Sequence, residues 1–75
     1  FDALAAGGNA AAVLNAANEI AVERFLHGDI GFMTIPATLS HTLDRLAGPA
    51  VSLDELLDAD RRARELASGF IGRRA

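Results

Sequence analysis

Residues 10–27 contain neither glycine nor proline, and six alanines are spread along them. Such a run favours an α-helix, because alanine has the highest helix propensity and nothing in the stretch breaks the backbone. Stepping the residues by about 100° puts Val13, Leu14, Ala16, Ala17, Ile20, Ala21 and Phe25 on one broad arc. Val22 and Leu26 lie opposite, interleaved with Asn15, Asn18 and Glu19. A helix apolar on nearly all sides is a central one, and its alanines let neighbouring backbones come close. The rest of the chain must then supply helices to surround it.

The remaining sequence is cut into suitable lengths. Sixteen of the 75 residues are alanine, valine, isoleucine and threonine are sparse, and there is no tyrosine or tryptophan. That mixture suits closely packed helices better than sheets. Phe1 to Ala6 reads as the last turns of a helix whose start is missing, stopped by Gly7-Gly8. Asn9 suits the cap of the helix at 10–27, and Gly28 its end. The large apolar residues of the 29–33 connection should pin it to the bundle.

Thr34 is expected to cap a further helix, with Pro36 tolerated in its first turn. Ile35, Leu39, Leu43 and Leu46 share a face, and Thr38, His41, Thr42 and Asp44 fill the remainder. Gly48-Pro49 stops this helix. Ser52-Leu53-Asp54-Glu55 forms a capping box for the last one. Its apolar stripe is Leu53, Leu56, Leu57, Ala63, Leu66, Ala67, Phe70 and Ile71. Asp58 or Asp60 offers a restart, so a kink near Asp58 is allowed for. Asp60 and Arg64, at i and i+4, should pair, and residues 72–75 should fray. The expected architecture is all-α: a small antiparallel bundle of three main helices plus the remnant of a truncated N-terminal helix.

Charge and composition exclude several functions. The net charge is −3 and no basic run exceeds two residues, which argues against nucleic-acid binding. There is no cysteine for a disulfide or thiol chemistry. No apolar run is long enough to span a membrane. With no signal peptide visible, the default compartment is cytoplasmic. The chain begins at Phe1 without an initiator methionine and reads as a piece of a longer polypeptide.

Chemistry has few candidates. Asn15, Asn18 and Glu19 form a polar cluster on the central helix. Two amides and one carboxylate suit only a hard cation, so a structural role is favoured, with the amides bonding the backbone of adjacent loops and helix ends. His27 and His41 lack partners at metal or catalytic spacing and are read as surface or helix-end residues, His27 beside the negative end of its helix dipole. Gly7-Gly8-Asn9 lacks the remainder of a phosphate loop and is read as a helix stop. Asp54, Glu55, Asp58 and Asp60 complement a helix start more readily than they form a catalytic pair. Arg24 projects from the apolar arc; either its stem snorkels past the helix end or it pairs with a carboxylate from a neighbouring helix or an absent domain.

The run Ala12-Val13-Leu14-Asn15-Ala16-Ala17-Asn18-Glu19-Ile20-Ala21-Val22 resembles the signature of the C-terminal helical domain of the 1-deoxy-D-xylulose 5-phosphate reductoisomerases. Its flanks fit in order: Gly7-Gly8 before it, Phe25-Leu26 and Ile30-Gly31-Phe32 with Ile35 after it, then Ser52 to Leu57, Asp60 and Ala63-Arg64-Glu65. The resemblance implies an NADPH-dependent enzyme of non-mevalonate isoprenoid synthesis. That enzyme rearranges and reduces 1-deoxy-D-xylulose 5-phosphate to 2-C-methyl-D-erythritol 4-phosphate with a divalent metal (Mg, Mn or Co). It also implies a homodimer, with NADPH in an N-terminal domain, metal and substrate in a catalytic domain, and the helical domain packed beside the latter in support. The family's metal, phosphate and nucleotide motifs do not fall in these residues, so no catalytic, cofactor-binding or metal-binding residue is expected here and the chain alone should be inactive. A bundle short of most of one helix should expose apolar surface and self-associate. The competing expectation is a free-standing helical protein-interaction or self-association module.

Overall fold

The computed structural model describes residues 8–50 and 52–74, without the side chains of 73 and 74. The expected helix remnant at 1–6, the stop at Gly7 and the terminal Ala75 lie outside the described residues. Three helices follow one another: α1 (Ala10–Leu26), α2 (Thr34–Leu46) and α3 (Leu53–Arg74). No strand occurs among the described residues, so the all-α architecture expected from composition is the one found.

The core fixes the directions. At one end Val13 and Ala16 of α1 meet Ala59 and Ala63 of α3, with Leu43 and Leu46 of α2 packed against them. At the other end Ala21 meets Phe70 and Ile71, with Ile20, Ile30, Ile35 and Ala37 alongside. The start of α1 therefore lies beside the end of α2 and the start of α3. Successive helices are antiparallel, and α1 and α3 run the same way. The seam between α1 and α3 is built from alanine: Ala16, Ala17 and Ala21 on one side and Ala59, Ala63 and Ala67 on the other are buried. Small side chains let the two backbones approach, and the bundle measures 37 × 18 × 17 Å.

The end of α1 follows from Gly28. Its φ of 81° lies in the left-handed region that glycine enters without strain. The Asp29 amide donates to the Arg24 carbonyl at 2.9 Å and the Gly28 amide to the Phe25 carbonyl at 3.0 Å. This is the paired closure of a Schellman motif, which satisfies carbonyls the helix would leave bare.

Asn9 departs from the expectation of a side-chain cap. It sits at the N-cap position but makes no side-chain cap bond. Its side chain is committed to the α2–α3 connection, and its carbonyl accepts the Val13 amide at 2.9 Å.

The inward face of α2 is turned from the expected leucine row towards Thr38 and Thr42, which are fully buried. Ile35, Leu43 and Leu46 still pack on the core, while Leu39 is half-buried. The threonines are tolerated because each hydroxyl donates to the carbonyl four residues back, Thr38 to Thr34 and Thr42 to Thr38, both at 2.7 Å. Thr34 is not the cap; Met33 holds that position without a side-chain bond. The Thr34 and Ile35 amides are taken instead by the Gly31 and Phe32 carbonyls, both at 3.1 Å, so the turn itself does the capping.

The Ser52 hydroxyl accepts the Glu55 amide at 3.2 Å, as the capping box requires. The helix that follows runs unbroken from Leu53 to Arg74, through Asp58 and Gly72. Asp58 is occupied by ion pairs to Arg61 and Arg62 on the next turn, so it does not restart the helix. Leu53 and Leu57, expected in the stripe, are 58% and 60% exposed; the buried line runs instead through Ala59, Ala63, Ala67, Phe70 and Ile71. In the 29–33 connection Ile30 packs inward, but Phe32 and Met33 stay largely exposed, Phe32 touching Phe25 edge-on at 5.8 Å.

Candidate functional site

The polar cluster of α1 is split by the fold. Glu19 turns towards α3 and pairs with Arg64, whose Nε also donates to Asp60 at 2.9 Å. The Asp60–Arg64 pair expected from spacing is thus present, with Glu19 as a second anion bridging two helices. The hydrogen bonds that Arg64 donates to Asp60 and then to Glu19 raise its pKa above the ordinary value. Its positive charge is therefore secure at any working pH, and the triad acts as a tie between helices.

Asn15 lies apart from that pair, while Asn18 borders one groove with Glu19 and Arg64 and another with Asn15. Both asparagines are exposed and make no side-chain hydrogen bond to the described residues. They line an open groove with Ala11, Leu14 and Leu39. The amide that does bond loop backbone is Asn9, a residue that sequence reasoning assigned only to a cap. Its Nδ2 donates to the Leu46 carbonyl at 2.8 Å, and the Gly48 amide donates to its Oδ1 at 2.7 Å. Its own amide donates to the Gly48 carbonyl at 2.9 Å. Gly8 makes room for this clamp: its φ is 65°, and a Cβ there would lie 2.4 Å from the Gly48 oxygen. The sequence signal was the pair Gly8-Asn9 matched by Gly48-Pro49, a contact across nearly forty residues that local pattern does not reveal.

The other singled-out residues take structural places. Arg24 reaches sideways: its Nη1 lies 4.0 Å from Asp29 Oδ2 and its Nη2 donates to Ser68 Oγ at 3.3 Å. Neither expectation is met as stated: the carboxylate comes from the loop just beyond Arg24's own helix, not from a neighbouring helix. His41 stacks on Phe70 at 4.4 Å and accepts from Arg45 Nε at 3.2 Å, linking α2 to α3. His27 is exposed at the C-cap of α1.

Among the described residues no three His, Asp or Glu side chains come together to hold a metal ion. No helix among them is long and apolar enough to cross a membrane. What the bundle offers is surface. Leu26, Phe32 and Met33 form an apolar end, 74%, 66% and 74% exposed. Patches of this kind mark contact sites.

Comparison with known proteins gives the surface its context. The chain is 57% identical over 67 residues to the 1-deoxy-D-xylulose 5-phosphate reductoisomerase of Xanthomonas euvesicatoria pv. vesicatoria, a match covering 88% of this chain and 17% of that protein. It is 57% identical over 72 residues to the reductoisomerase of Ralstonia nicotianae, covering 95% of this chain and 18% of the relative. The chain thus spans less than a fifth of the length of these curated relatives. No solved structure matches it. The family model for the DXP reductoisomerase C-terminal domain matches residues 1–66, and the chain belongs to that family.

Proposed function

We propose that this bundle is the structural C-terminal domain of a reductoisomerase converting 1-deoxy-D-xylulose 5-phosphate to 2-C-methyl-D-erythritol 4-phosphate, where it supports the catalytic domain. The observation that carries the reading is the family match over residues 1–66 together with a bundle that presents exposed apolar surface. The chemistry then resides in the portion of the relatives that lies beyond the match. The parent would draw its hydride from NADPH and would require a divalent metal (Mg, Mn or Co) there. The parent is a cytoplasmic homodimer. The Leu26, Phe32 and Met33 end is the face that docks on the catalytic domain. Burying it removes the largest exposed apolar groups of α1 and the α1–α2 connection, each worth about 1–2 kcal/mol.

A domain exchange tests this. The chain is grafted in place of the matching segment of the Xanthomonas relative, and NADPH oxidation is followed with substrate and metal. The graft should retain turnover, deletion of the segment should abolish it, and the 75-residue chain alone should give none. Turnover by the chain alone, or an unimpaired deletion, would overturn the reading.

A further inference from the structure

We draw no further inference here: the strongest candidate, the open groove between α1 and α2 lined by Ala11, Leu14, Asn15, Asn18 and Leu39, is an unpartnered face, and nothing in the structure shows what covers it.

Discussion

Asn9 shows how one side chain can hold a bundle's topology. It joins the start of α1 to the α2–α3 connection through three hydrogen bonds, two of them from its amide group. Asn9→Ala strands the Leu46 carbonyl and the Gly48 amide in a half-buried place, and should destabilise the chain by about 1–3 kcal/mol. Asn9→Asp keeps the acceptor for Gly48 but loses the donor to Leu46 and sets an anion against that carbonyl. It should therefore not rescue the loss, whereas a capping role would be served by aspartate as well as by asparagine. Urea denaturation of both variants separates the two roles: an Asn9→Asp chain as stable as the parent would mean that the side chain caps α1. The amide was legible in the sequence as a helix-start residue. Its real partners were not, because they lie 37 and 39 positions away and nothing local marks them.

At the scale of the element, α3 is the helix least well served by its own sequence. It runs unbroken from Leu53 to Arg74 with Gly69 inside it. Gly69 is exposed, has ordinary helical backbone, and a Cβ there would meet nothing within 4 Å. Gly69→Ala should then stabilise the chain by about 0.5–1 kcal/mol, chiefly by restricting the unfolded backbone. A higher urea midpoint with unchanged slope would bear this out; a loss of stability would show that the position is needed for close approach by something outside the bundle. Helix positions were readable from glycine and proline punctuation, and α1 ends one residue before the expected His27. Faces were less readable. Thr38 and Thr42 turn inward because back-bonded hydroxyls make threonine compatible with burial, and Leu53 and Leu57 stay exposed because none of the described helices covers their side of α3. Apolar periodicity reports which side of a helix is greasy, but not whether anything is there to cover it.

The whole molecule combines a modest core with substantial uncovered hydrocarbon. Its buried line is mostly alanine, and its largest fully buried side chains are only Ile71, Val13, Thr38 and Thr42. Larger groups, among them Leu14, Leu26, Phe32, Met33, Leu53 and Leu57, stay exposed. Core alanines stabilise little per residue, since the favourable term scales with apolar area removed from water. A chain of this size that leaves such groups outside has a thin margin alone and gains more than usual from any partner. Association that occurs only between folded chains adds a stabilising term that grows with chain concentration. The melting temperature should therefore rise by several degrees between about 10 μM and 1 mM, since about 1 kcal/mol shifts a domain of this size by roughly 4–8 °C. The same series with Leu14→Glu should be flatter, because the charge replaces exposed hydrocarbon on α1. Scanning calorimetry across concentration reads both curves. If the unaltered chain also melts at one temperature throughout, its exposed hydrocarbon is carried without self-association, and the bundle's stability is its own.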